Sequence, residues 1–159
     1  MIQQKNMGLT LIELMVTIAV LAIVSAIAMP SFTNLVSSNR LTGLANDLNS
    51  SLASARAEAI KMKTDVTVAP VGGSWARGWT VSYIDGGTTV ELLKKEPINK
   101  AITLGSGSST DSAVFNASGY SVNSHLGSTG VVFCGAGKDG RKVDVSPSGI
   151  TAVERVECQ

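Results

Sequence analysis

The polarity pattern changes period twice along the chain. From Leu9 to Met29 apolar residues run almost unbroken, interrupted only by Thr10, Thr17, Ser25 and one ionisable side chain, Glu13. In helical form such a run covers roughly 30 Å of hydrocarbon, so it reads as a membrane segment. Beyond Pro30, Leu41, Leu44, Ala45, Leu48, Leu52, Ala55, Ala59 and Met62 recur at three- and four-residue steps, with Arg40, Asp47, Asn49 and Arg56 largely on the other side. This spacing predicts an amphipathic helix over 30–63 that continues the apolar one into a rod of about 80 Å. Pro30 is expected to bend or open it, because proline brings no amide donor.

From Thr64 the period becomes two. Val66 and Val68, then Trp79, Val81 and Tyr83, then Val90 and Leu92 alternate, and Asp85-Gly86-Gly87 between the last two runs is a hairpin signal. Four further short strands are expected around 113–115, 130–133, 142–145 and 150–153, with Ser146-Pro147-Ser148-Gly149 as a turn between the last two. The predicted fold class is therefore α+β. A long bent N-terminal helix, half membrane-spanning and half amphipathic, packs on a small antiparallel β-sheet domain over 64–159, as one sheet or two layers.

Glu13 is the anomaly in this pattern. A carboxylate one turn into an apolar helix costs about 2.5–3.5 kcal/mol on insertion scales. Two readings offset that cost. Either Glu13 lies at the interface, where it snorkels or is protonated, or it awaits a cation, most simply an amino terminus created by cleavage just upstream. The preceding residues 1–8 carry only Lys5 as a charge, which places that end in the cytoplasm. An ordinary secretory signal has a shorter apolar core with its cleavage site after it.

Gly8-Leu9-Thr10-Leu11-Ile12-Glu13, followed by the apolar run and Pro30, resembles the class III signal of type IV pilins and type II secretion pseudopilins. The resemblance implies that a prepilin peptidase removes 1–8 as a leader, cutting between Gly8 and Leu9, and methylates the new terminus. This chain has Leu9 where the family usually has phenylalanine, which bears on methylation efficiency. The resemblance also implies that Glu13 and Pro30 serve subunit assembly. It divides the chain into a leader at 1–8, a transmembrane and filament-core helix at 9–29, an amphipathic half at 30–63 and a periplasmic domain at 64–159. The C-terminal part resembles the FimT, FimU and GspH branch, FimU-like minor pilins in particular. That resemblance is carried by Trp75-Ala-Arg-Gly-Trp79, Val114-Phe115-Asn-Ala-Ser-Gly119 and Phe133-Cys134 leading to Arg141-Lys-Val-Asp-Val-Ser-Pro-Ser-Gly149.

The same resemblance implies a single-pass inner-membrane protein, N-terminus cytoplasmic and domain periplasmic, that passes into a pilus as a minor subunit and helps to start assembly at or near the tip. Its implied partners are major and minor pilins, the prepilin peptidase, the inner-membrane assembly platform and, before assembly, membrane lipid. Cys134 and Cys158 both fall in the exported part, where an even pair reads as a disulfide, two buried free thiols being the alternative.

Charge narrows the remaining classes. Formal net charge is +1, so no global basic field draws nucleic acid. DNA-binding members of the FimT type resemble one another in a Gly-Arg-x-Arg motif, and the matching turn here, Gly149-Ile150-Thr151-Ala152, has neither arginine. Lys138, Arg141 and Lys142 are the candidate DNA contacts, diluted by Asp139, Asp144 and Glu154. A GspH-like pseudopilin role in type II secretion is the other alternative. No catalytic, metal or cofactor site is expected: His125 is the only histidine and stands among Ser124, Leu126 and Gly127, without a Cys or acid at ligand or triad spacing. The two tryptophans are expected to pack in the core.

Overall fold

The computed structural model describes residues 10–98, 100–122, 126–127, 129–135 and 138–158, with the side chains of 27–31 and 33–34 outside that set. Among the described residues one α-helix, α1 (Leu11–Met62), precedes nine strands. They are β1 (Val66–Pro70), β2 (Trp79–Asp85), β3 (Thr88–Lys95), β4 (Thr103–Leu104), β5 (Ala113–Phe115), β6 (Ser121–Val122), β7 (Val131–Cys134), β8 (Asp139–Val145) and β9 (Thr151–Glu157). The chain divides into two compact units, Met1–Val36 and Ser37–Gln159, and α1 contributes residues to both.

In the first unit, the helix exposes Leu11, Ile12, Leu14, Met15, Val16, Ile18, Val20, Leu21, Ile23 and Val24, as an all-apolar helix with no partner must. Among the described residues no helix is long and apolar enough to cross a membrane. The described side chains of the run, Leu11 to Ala26, number 16 and span only about 24 Å at the α-helical rise. In the sequence the run continues to Met29. The backbone is helical through Pro30, but the expected bend falls where side chains lie outside the described residues.

In the second unit, the predicted stripe is the buried one. Leu41, Leu44, Ala45, Leu48, Leu52, Ala55 and Ala59 are all buried, and Met62 packs against their cluster. They meet two antiparallel sheets, ordered β3-β2-β1-β5-β6 and β4-β7-β8-β9. Val66, Val68, Val81, Ala113 and Phe115 face the core from the first sheet, and Val131, Phe133, Val143 and Val145 from the second. The alternation along each strand follows from the two-residue side-chain period.

Turn chemistry fixes the registers. Asp85 pairs with Thr88 across Gly86 and Gly87, both at positive φ, which is the two-residue hairpin that a right-handed strand twist favours. At the β8–β9 connection Gly149 N donates to Ser146 O at 2.8 Å, closing the expected four-residue turn. The structure departs from the sequence reading in three places. Two-residue strands β4 and β6 join the sheets, β8 begins at Asp139 rather than Lys142, and β9 begins at Thr151 and runs to Glu157. Two residues give no readable alternation, and the glycine at 140 hides the β8 pattern.

Candidate functional site

At the N-terminal signal, Gly8 and Leu9, the expected cleavage pair, lie outside the described residues, as does the side chain of Pro30. Thr10 and Glu13 are described, and they bond each other reciprocally. Thr10 N donates to Glu13 Oε2 at 3.2 Å, Thr10 Oγ1 donates to the same oxygen at 3.1 Å, and Glu13 N donates to Thr10 Oγ1 at 3.3 Å. Thr10 is therefore the N-cap of α1 and Glu13 its third helical residue, a capping box whose carboxylate also faces the positive end of the helix dipole. The Thr-x-x-Glu spacing is itself a capping signature, so the sequence held a local partner for Glu13 besides the membrane interface and a cleaved amino terminus.

The tryptophans are core residues, as expected. Trp75 and Trp79 are fully buried with ring centroids 6.4 Å apart. Trp79 Nε1 donates to Ser51 Oγ at 3.0 Å, and Ser51 Oγ donates to the Asp47 carbonyl at 2.9 Å, tying β2 to α1.

Arg56 is the residue that helical periodicity misplaces. Its position puts it on the polar side of α1, yet its side chain reaches two turns. Nε donates to the Gly119 carbonyl at 2.9 Å and Nη2 to the Ser148 carbonyl at 3.4 Å, while Ser121 N donates to Pro147 O at 3.1 Å. The β5–β6 turn of one sheet and the β8–β9 turn of the other are thereby held on one guanidinium. A fork of donors that reaches two carbonyls at once belongs to arginine and is invisible to a polarity pattern.

The candidate basic residues are not brought together as one surface. Arg141 pairs in register with Phe133 and Arg155, whereas Lys142 pairs with Val132 and Glu154, so consecutive positions point to opposite faces of the second sheet. Lys142 Nζ lies 3.0 Å from Asp144 Oδ2, and Arg141 Nη1 donates to the Gly140 carbonyl at 2.8 Å. Lys138 is exposed in the β7–β8 turn, where its carbonyl accepts from Cys158 N at 2.9 Å. Beside them Arg155 Nη2 donates to Asp139 Oδ1 at 2.6 Å. That hydrogen bond, and then the Arg155 charge, hold the Asp139 carboxyl below its ordinary range, with Arg141 adding a smaller pull. Arg155 is raised in return by the same partner.

Cys134 and Cys158 form a disulfide with Cα atoms 6.0 Å apart, joining the end of β7 to the tail beyond β9. Gly140 lies beneath it, where a Cβ would stand 2.6 Å from Cys158 Sγ. Among the described residues no group of three or more His, Cys, Asp or Glu side chains converges as metal ligands, and His125 lies outside them.

The long strand β3 forms one edge of the first sheet and β9 one edge of the second. A groove of about 390 Å³ lies between α1 and β3.

Known proteins resemble the chain along both halves of α1 and through the sheets. The family described as Type II transport protein GspH matches residues 44–149, and the prokaryotic N-terminal methylation motif matches residues 5–29. Two crystal forms of the type IV minor pilin FimU of Pseudomonas aeruginosa (strain PAO1) share the fold. The first is 24% identical, covering 73% of this chain and 89% of that chain with a TM-score of 0.58. The second is also 24% identical, covering 72% and 92% with a TM-score of 0.56. No curated protein sequence matches the chain.

Proposed function

Because the chain belongs to the GspH family of type II transport proteins, with a prokaryotic N-terminal methylation motif ahead of the family region, we propose that it is a minor pilin that helps to initiate type IV pilus assembly at or near the tip. The family consists of pilin and pseudopilin structural subunits, which assemble with other pilins into a filament. The observation that carries the proposal is the succession of the two matches along one helix. The methylation motif covers the apolar half of α1, and the family region starts on its amphipathic half.

In this reading the prepilin peptidase cuts between Gly8 and Leu9 and methylates Leu9. Leu9 to Met29 holds the chain in the inner membrane with its N-terminus cytoplasmic and 64–159 periplasmic, and the assembly platform then passes the subunit into the filament. There Glu13 meets an amino terminus and Pro30 shapes the helix for packing. The chain works by protein–protein contact rather than by catalysis.

A second reading, a GspH-like minor pseudopilin of type II secretion, is favoured by the description of the matched family. One strain separates the two. A clean deletion is scored for surface pili, twitching and enzyme secretion, then complemented. Loss of pili with secretion intact supports the minor pilin; loss of secretion with pili intact supports the pseudopilin. If neither changes, both readings fall.

A further inference from the structure

The pairing of β8 decides what β9 offers to solvent. Ser146 N donates to Ile150 O at 2.8 Å and Cys158 N donates to Lys138 O at 2.9 Å, so the hydrogen-bonded pairs of this ladder fall on even positions of both strands. Bonded and non-bonded pairs alternate along an antiparallel ladder. Ala152, Glu154 and Val156 therefore turn their backbone N–H and C=O groups to β8, while Thr151, Val153, Arg155 and Glu157 turn theirs outward. β9 ends the sheet order β4-β7-β8-β9, and among the described residues no strand meets that outward row.

Two features separate this edge from an ordinary solvated one. The first is regularity. In β3, the long edge of the other sheet, Val81 pairs with Leu93 while Ser82 pairs with Glu91, which leaves Leu92 as the extra residue of a bulge, and the strand ends on Lys94 and Lys95. Bulges and lysines are the usual protection of an edge. β9 pairs with β8 residue for residue from Thr151 to Glu157 and contains no lysine, proline or glycine. The second feature is anchoring. The 146–150 turn fixes one end of β9, and the Cys134–Cys158 disulfide fixes the other. A strand held at both ends is already extended, so little ordering remains to oppose the docking of another strand.

The charges of β9 select the occupant. Arg155 is taken up by Asp139 within the sheet, whereas among the described residues neither Glu154 nor Glu157 enters an ion pair. Full antiparallel overlap with the β9 of a second copy would set Glu154 against Glu154, and like charges directly opposite destabilise a sheet. We propose that β9 receives an extended segment of a different protein as a further strand, antiparallel like its pairing with β8, with cationic residues opposite Glu154 and Glu157 and apolar ones opposite Val153 and Val156. Read from its own N-terminus, that segment runs cation, apolar, any residue, cation, apolar. Backbone hydrogen bonds supply the affinity, and the two carboxylates supply the selection. The inference rests on the filament reading only for the source of the segment, a neighbouring subunit, and is the same for a pilus or a secretion pseudopilus.

The test uses the full chain in detergent micelles at low salt, a capped synthetic peptide built on lysine-valine-threonine-lysine-valine, and residue-resolved amide hydrogen exchange. In the free chain Ala152, Glu154 and Val156 are expected to exchange slowly, and Thr151, Val153, Arg155 and Glu157 fast. Millimolar peptide should slow the second set about tenfold or more. Methylating the peptide amides that face β9 should abolish the slowing, whereas methylating the alternate amides should not. Glutamates in place of the peptide lysines should weaken binding by about threefold to tenfold, the worth of two exposed ion pairs. Glu154→Lys with Glu157→Lys should reverse that preference, and slow exchange within 139–145 verifies that the variant folds. Equal exchange of the two amide sets in the free chain, no slowing by the peptide, or slowing that survives methylation of the facing amides overturns the proposal. So does slowing at Thr88–Lys95 instead, or an unchanged preference in the folded double variant. Neither piliation nor secretion is scored, so failure here is distinct from failure of the functional reading.

Discussion

Gly78 stands between the buried Trp75 and Trp79 at φ +89°, and a Cβ there would overlap the Lys95 carbonyl oxygen and lie 2.9 Å from the Glu96 carbonyl. Gly78→Ala combines left-handed strain with a backbone overlap and is expected to cost about 2 kcal/mol or more in thermal or urea unfolding. Gly43 is the contrast, since it lies in α1 with nothing within 4 Å of a Cβ. Gly43→Ala should stabilise by about 0.5–1 kcal/mol through helix propensity. An equal response at both positions would refute the geometric account. Glu13 poses a finer question, because its carboxylate both completes a capping box and offers a charge. Glu13→Gln keeps the capping geometry and removes the charge, whereas Glu13→Ala removes both. Both variants should insert in the membrane as well as or better than the parent, and both should be depleted from purified filaments. Normal incorporation of the glutamine variant would reduce Glu13 to a helix cap.

Among the elements, α1 was the most legible, because its buried residues repeat at helical spacing over many turns and no other element competes for them. The β2–β3 and β8–β9 turns were legible for a different reason: glycine at positive φ and proline in a turn are chemical requirements rather than averages. Strand partners were not legible. Nothing local in Ala113–Phe115 says that it pairs with β1 while Thr103–Leu104 pairs with β7. Nor does polarity reveal that Arg56 folds back onto two turns. The disulfide was legible only as a pair of cysteines in a domain expected to be exported, and its consequence belongs to β9. Across a sequence separation of 24, closing the loop contributes about 3 kcal/mol in the chain-entropy account. Reduction should lower the denaturation midpoint accordingly, and an unchanged midpoint would argue against it. The neighbouring Asp139–Arg155 pair adds a pH dependence. Asp139 is depressed in the folded chain, chiefly by its hydrogen bond from Arg155, so the unfolded chain binds the proton more readily. The pair's stabilisation is therefore present at and above the ordinary carboxylate range and lost as pH falls through the lowered value. Both side chains are well exposed, so the effect is small and salt-sensitive. Asp139→Asn should flatten the acid limb of the melting curve while leaving neutral pH nearly unchanged.

At the scale of the whole molecule, charge and apolar surface are distributed differently, and that difference decides between partners. Phosphate binding needs several cations that reach one side together, each neutralising a backbone charge. Here β8 sends Arg141 and Lys142 to opposite faces, Asp144 holds Lys142, and Asp139 holds the neighbouring Arg155. The apolar side chains are not scattered in this way, since two turns from two sheets are gathered on Arg56 and two leucines are raised together at a bulge. A surface of this kind is expected to recognise protein before nucleic acid. Replacing Lys138, Arg141 and Lys142 together with alanine should therefore restore pili in the deletion strain and leave DNA retention within about twofold of the parent, too small a change for lost phosphate contacts. The decisive arm is salt. If the parent chain binds duplex DNA with an affinity that falls steeply between about 50 and 200 mM salt, and the triple variant does not, the cations act together despite their opposite faces. The chain would then be a DNA receptor first. A parent with no measurable salt-dependent binding leaves protein packing as the work of this surface.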